Sequence, residues 1–277
     1  AINSYSKTYI NGGTITSKDK DAITVTAGTT TINGGNITSE VEDGIYVTSS
    51  TVYGTGHLVV NGGTITGNQN GVSNGSASNT IKVYGGNIVG TDGVGLKSSC
   101  STTLLGGVIE GGTYGVQVTG GTTNIGTDDG TIDIDAPILK GYLYGLYISG
   151  GTINFSDGIL KGATEADYGQ ITNIPDRAEI FEDEEIINGV TYDVKYLVKE
   201  TDIAVNLQTN KIYSNLQDSI DEAQEGETIQ LLTNVPLYYE LTNANSANIT
   251  LDLNGYSIST NKKIVNGGNL TITNTNT

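Results

Sequence analysis

Cysteine, histidine and arginine occur once each, as Cys100, His57 and Arg177, and tryptophan and methionine are absent. One cysteine excludes an internal disulfide, and one cysteine with one histidine excludes any Cys/His set of metal-ligand spacing. Cys100 reads as a buried, inert thiol. Basic residues are scarce: 13 Lys and Arg stand against 30 Asp and Glu, for a formal charge of −17. That balance argues against nucleic acid and anionic membrane surfaces, which need basic patches, and it permits divalent cations such as calcium. No apolar run approaches transmembrane length, so direct membrane insertion is not expected. Ala1-Ile2-Asn3-Ser4 has neither the basic residues nor the apolar core of a secretory signal. No initiating methionine opens the chain, which therefore reads as a mature piece or a fragment.

Glycine is abundant, with 39 residues, and much of it comes in pairs inside a repeated phrase. Ile10-Asn11-Gly12-Gly13-Thr14-Ile15-Thr16 returns as Ile32-Asn33-Gly34-Gly35-Asn36-Ile37-Thr38 and Val60-Asn61-Gly62-Gly63-Thr64-Ile65-Thr66. Weaker copies surround Gly85-Gly86, Gly106-Gly107, Gly150-Gly151 and Gly267-Gly268. The spacing is about 22 residues, too short for a domain and suited to one turn of a solenoid that buries its apolar face only against its neighbours. Within each copy apolar and polar residues alternate, so Ile, Val and Leu point one way and Asn or Thr the other. Gly-Gly supplies a corner between short strands. A second strand signal lies between corners, as in Ile23-Thr24-Val25, Ile45-Tyr46-Val47 and Val116-Gln117-Val118. Asp21, Asp43 and Asp92 precede such strands as turn residues.

These signals predict an all-β fold: a parallel β-helix, right-handed by the general rule for parallel crossovers, over residues 1–175. Ile15, Ile37, Ile65, Ile88, Ile109 and Ile153 are expected to form an inner ladder, and Asn11, Asn33 and Asn61 a polar one. At about 1.5–3 kcal/mol per inward aliphatic, such ladders hold a column without disulfides.

Two turns are longer than the rest. One, around Ser49–Leu58, holds His57, read as structural. The other, Thr122–Leu139, holds Asp128, Asp129 and Asp133. Here Asp128-Asp129-Gly130 stands where a Gly-Gly corner is due, with Ile125 and Ile132 in the two apolar places. Asp128, Asp129 and Asp133 are also the candidates for a cation. Residues 176–206 are acidic and carry Asn188-Gly189 between alternating strands, a strong hairpin signal. Tyr192, Val194, Tyr196 and Val198 form its apolar face. This exit module is followed, over 207–277, by a short amphipathic helix with apolar positions at 216, 220 and 223, ended by Gly226. Strands Thr228–Leu232 and Ile249–Gly255 then begin a second β-helix. The helix is expected to cover an open column end, where unpaired strand edges invite stacking.

The run Ile212–Ala223, followed by Gly226–Leu232 and Ile249–Gly255, resembles the start of pectate-lyase-like β-helix domains of large surface proteins of Gram-positive gut bacteria. The Gly-Gly turns and the Asn188-Gly189 hairpin are similar to the body and exit of such domains. The resemblance implies an extracellular, cell-surface location, often in tandem arrays, with adhesin-like relatives. Body and exit come first here and a start comes last. A second copy joined after Thr277 would place Gly12 22 residues after Gly267, one regular turn. The chain therefore reads as one period of a tandem array, with copies of itself or flanking β-helix domains as end-to-end partners. The competing reading is a single stretch with unrelated flanks.

Many β-helices cleave polysaccharides. A lyase of that kind typically needs acidic calcium ligands near an Arg or Lys base, and no such constellation recurs here. A hydrolase needs paired carboxylates, for which Asp92 and Asp128-Asp129 are the one candidate set. No hydroxyl or thiol has a recognisable base partner. Tyr142, Tyr144 and Tyr147, with Tyr114, cluster on neighbouring turns as candidate glycan-stacking residues. The alternative is that outward tyrosines pack on the sheet. The sequence thus points to a non-catalytic structural solenoid that requires no cofactor. A carbohydrate-binding adhesin and a polysaccharide lyase or glycoside hydrolase are the alternatives.

Overall fold

The computed structural model describes every residue except 1, 130, 131, 134, 177, 200, 201, 245, 246 and 277. Strand accounts for 57% of the described residues and helix for 3%, in parallel stacked coils of about 22 residues, a β-solenoid. The chain forms two compact units, Ala1–Lys199 and Glu200–Thr277.

In the first unit each coil gives strands to three stacks. One runs through Ile2–Ser4, Ile23–Val25, Ile45–Val47, Asn70–Asn74 and Val94–Ser98. The second runs through Thr8–Ile10, Gly28–Ile32, Gly54–Val60, Thr80–Val83 and Ser101–Leu104. The third runs through Thr14–Ser17, Asn36–Ser39, Thr64–Gly67, Asn87–Gly90, Val108–Gly111, Ile138–Gly141 and Ile159–Gly162. In the last coils the first two stacks fuse into the 12-residue strands Tyr114–Ile125 and Tyr144–Phe155.

Pairing is parallel and in step, because an inward aliphatic in one coil must meet one in the next. Ile15, Ile37, Ile65, Ile88 and Ile109 pair in succession, and Leu139 and Leu160 continue the ladder. Ile153 is not in it. It is buried, but it pairs with Thr123 in a neighbouring ladder with Leu58, Ile81 and Thr102. The reason lies in the glycines. Gly150-Gly151 stacks on Thr119–Gly121, in the bend inside a fused strand, and not on the Gly106-Gly107 corner. Both bends need a positive φ at the second glycine, 83° at Gly107 and 92° at Gly151, so both select Gly-Gly. Ile125 does hold its expected place, against Leu104 and Phe155. Ile132 only packs half-buried on the core, and Leu139 takes the inward position expected of it.

The asparagine ladder runs along the exposed corner: Asn33 Nδ2 donates to Asn11 Oδ1 at 2.7 Å and Asn61 Nδ2 to Asn33 Oδ1 at 2.8 Å. Asp43 ties three coils, taking bonds from the Asn70 backbone N–H (3.1 Å) and side chain (2.7 Å) and from the Ser73 hydroxyl, while its own N–H donates to Asp21 (3.2 Å). Cys100 is fully buried, and burial raises its thiol pKa.

Ala178–Ile187 and Val190–Lys199 form the expected hairpin, with Asn188 and Gly189 both at positive φ, as a two-residue turn requires. Val190–Lys199 adds antiparallel to Ile159–Gly162, so the hairpin belongs to the first unit. Ala204–Asn206, by contrast, pairs inside the second. Tyr192 and Val194 are buried as expected, whereas Leu197, from the opposite face, covers the column core. Asp167, opposite Leu146, meets Lys195 Nζ at 2.9 Å.

In the second unit Asn215 caps the helix Leu216–Glu222 by accepting from the Gln217 and Asp218 N–H groups. Leu216, Ile220 and Ala223 are buried in this unit's own core. The helix ends at Glu222 with Ala223 already extended, so Gly226 belongs to the next turn. Thr228–Leu231, Asn248–Asp252 and Asn269–Thr273 then stack in parallel. Buried Asp252 accepts from Gln230 Nε2 (2.8 Å), Thr275 Oγ1 (2.6 Å), Thr275 N (2.9 Å) and Asn254 N (3.0 Å). Burial opposes its charge, but these donors outweigh burial and hold its pKa at about 2.

Ile65→Asp puts an unpaired charge into a fully buried rung and is expected to cost at least about 3 kcal/mol in urea unfolding; an unchanged midpoint would refute the inward assignment. The depressed Asp252 carboxyl implies about 2 kcal/mol of stability, present above its ordinary pKa of 3.8 and lost as pH falls towards 2. Asp252→Asn should remove that acid-dependent part from urea melts taken between those pH values.

Candidate functional site

The long acidic turn is built around a residue that its own sequence does not contain. Asp157, 5% exposed, accepts from Thr127 N (2.7 Å), Thr127 Oγ1 (3.2 Å) and Asp133 N (2.8 Å). Gly158 N donates to Asp133 O at 2.6 Å, closing the turn onto the next coil. Asp128, Asp129 and Asp133 are exposed. The carboxylates of Asp129 and Asp133 serve the turn itself: Thr127 Oγ1 donates to Asp129 Oδ2 at 3.3 Å, and Asp135 N donates to Asp133 Oδ1 at 2.8 Å. Gly130, named with them in the sequence, lies outside the described residues, as does Arg177. Among the described residues no group of three or more His, Cys, Asp or Glu is placed to hold a metal ion. Asp157-Gly158 is a turn pair by composition, and that is the signal that could have drawn attention to it.

Asp92 and Asp128 do not form a carboxylate pair. Asp92 follows the third-stack strand Asn87–Gly90, whereas Asp128 follows Tyr114–Ile125, at a different corner of the coil. His57 is fixed structurally, with Nδ1 2.8 Å from Thr80 Oγ1 and Nε2 3.0 Å from Thr55 Oγ1.

Tyr144 and Tyr147 join Tyr114 and Tyr168 in one cluster. Tyr147 is stacked on Tyr114 (4.5 Å between centroids, 11°) and on Tyr168 (5.1 Å, 7°). Sugar stacking needs a free ring face, and neighbours occupy those of Tyr147. Burial, then the Glu165 carboxylate and the adjacent tyrosines, push the Tyr144 hydroxyl above its ordinary pKa. Tyr142 stands apart, 60% exposed, and lines a small pocket with Glu110, Lys140 and Tyr192. A feature not expected from sequence is the amide chain Asn173→Asn154→Asn124 (2.7 and 2.6 Å), which lines a groove of about 560 Å³ with Asp128, Ile174 and Pro175.

The terminal rungs differ from all of these. Ile2, Ile10 and Ile15 are only half-buried, although Ile23, Ile32 and Ile37, which cover them from one side, are sealed at 0–1%. In the second unit Leu241 is 1% exposed and its partner Ile264 41%; Leu251 is 0% exposed and its partner Ile272 52%. Each of these rungs has a strand on one side only among the described residues.

No family model, curated protein or solved structure matches this chain.

Asp157→Ala removes the acceptor of the Thr127 and Asp133 amides. Both should exchange hydrogen faster, at a cost of about 1–3 kcal/mol, while the Ile65 rung stays protected. Unchanged exchange at Thr127 and Asp133 would show that Asp157 does not hold the turn.

Proposed function

We propose that this chain is a non-catalytic structural segment of an extracellular, cell-surface stalk or fibre. Further β-coils, from a second copy or a flanking β-helix domain, seat on its open rungs. The observation that carries this reading is the half-covered apolar rung in each unit, typified by Ile272 at 52% exposure beside Leu251 at 0%. An unpaired strand edge with an inward aliphatic set is a template for another coil of the same period. Covering each such aliphatic contributes about 1.5–3 kcal/mol. The one-turn spacing from Gly267 to Gly12 of a following copy supports a coil of this same sequence as the occupant. The resemblance to pectate-lyase-like surface domains supports the location. A second, adhesive reading is favoured by Tyr142, whose exposed ring retains room for a sugar; glycan retention unaffected by Tyr142→Ala would remove it.

Sedimentation and negative-stain microscopy across a concentration series test the stacking. Wild type should associate end to end. Ile264→Asp combined with Ile272→Asp should weaken association at least about tenfold. Both sites are already exposed, so melting should move by no more than about 3 °C. Unassociated single chains at every concentration, or a double variant that associates like wild type, would sink the proposal.

A further inference from the structure

The strand Ala178–Ile187 ends its sheet. It pairs along its full length with Val190–Lys199, and no other strand among the described residues takes its outer side. In a two-residue hairpin the pair flanking the loop is hydrogen-bonded, and bonded pairs alternate from there. Glu185, Asp183 and Phe181 therefore bond inward, while Ile180, Glu182, Glu184 and Ile186 turn their N–H and C=O groups outward; the Glu184 N–H donates meanwhile to Asp183 Oδ1 at 2.8 Å, a bond an added strand would exchange for its own. Glu179 through Ile186 are all exposed. The register has no bulge and the strand has no proline or lysine, the devices that commonly blunt an edge. It carries acids instead. Beside it Glu165, Glu182, Asp183, Glu184 and Asp193 line, with Lys195, a pocket of about 680 Å³. The Lys195 charge is already met by Asp167 at 2.9 Å and Glu182 at 3.1 Å, so the pocket stays anionic.

We propose that this edge accepts an added β-strand from a basic, extended peptide, with a lysine or arginine side chain entering the pocket. Main-chain hydrogen bonds supply the docking and charge selects the partner. The same edge of a second copy is disfavoured, because carboxylates would face carboxylates. The residues of this edge are not those of the open rungs, and binding here does not depend on stacking there.

The test titrates the full chain with three labelled ten-residue peptides: alternating Lys-Val, alternating Glu-Val, and Lys-Val N-methylated at alternate residues. Lys-Val should bind and protect the Ile180, Glu182, Glu184 and Ile186 amides from hydrogen exchange. Glu-Val should bind at least about a hundredfold more weakly, and the N-methylated peptide at least about tenfold. Glu184→Pro removes an outward N–H, bonded in the free edge only to Asp183 Oδ1, while leaving the inward bonds in place, and should weaken Lys-Val binding about tenfold. Absence of Lys-Val binding overturns the proposal. So does equal affinity for the N-methylated peptide, which would reduce the contact to charge alone; that comparison stands even if Glu184→Pro does not fold.

Discussion

Each coil of this protein is too thin to satisfy its own backbone. Its N–H and C=O groups point along the axis, at the coils before and after, so the hydrogen-bond ladder and the aliphatic ladder are one constraint. A strand that pairs in register automatically brings Ile over Ile. A slip of one residue would turn the whole inward set to solvent. That coupling explains why Ile37, Ile65, Ile88 and Ile109 are sealed almost completely although a single coil contributes so few residues.

The same constraint sets where departures are tolerated. The turn that carries Asp128, Asp129 and Asp133 leaves the ladder, and its Thr127 and Asp133 amides find their acceptor in Asp157 of the next coil. Asp252 does the equivalent in the second unit, drawing four donors to one buried carboxylate. In both places backbone and hydroxyl donors surround the carboxylate, and at Asp252 they keep it charged although buried. Ladders must also stop somewhere. At the end of the first unit the stop is made of Leu197, the antiparallel hairpin and the Asp167–Lys195 pair. The half-covered rungs carry no such device among the described residues.

The acidic composition acquires a location from the fold. In the sequence, Glu179, Glu182, Asp183, Glu184 and Glu185 are simply an acidic run ahead of the Asn188-Gly189 turn. The structure makes that run a sheet edge with an anionic pocket beside it. The tyrosines change meaning in the opposite direction: of the candidates for sugar stacking, Tyr114 and Tyr147 stack on each other, and Tyr168 covers Tyr147 as well.

The sequence by itself determined the solenoid, its 22-residue period, the ladder from Ile15 to Ile109, the Asn188-Gly189 hairpin and the helix with Leu216 and Ile220 inside. All of these follow from local periodicity and turn chemistry, which depend on neighbours a few residues away. Only the tertiary structure decided which bend each Gly-Gly pair occupies, because two different bends make the same demand on φ. That moved Ile153 to another ladder and brought in Leu139 and Leu160. Only the tertiary structure, too, assigned the acidic turn to Asp157 and separated Asp92 from Asp128. Those relations join residues about 30 positions apart through the stacking of whole coils, and no local pattern encodes which corner faces which.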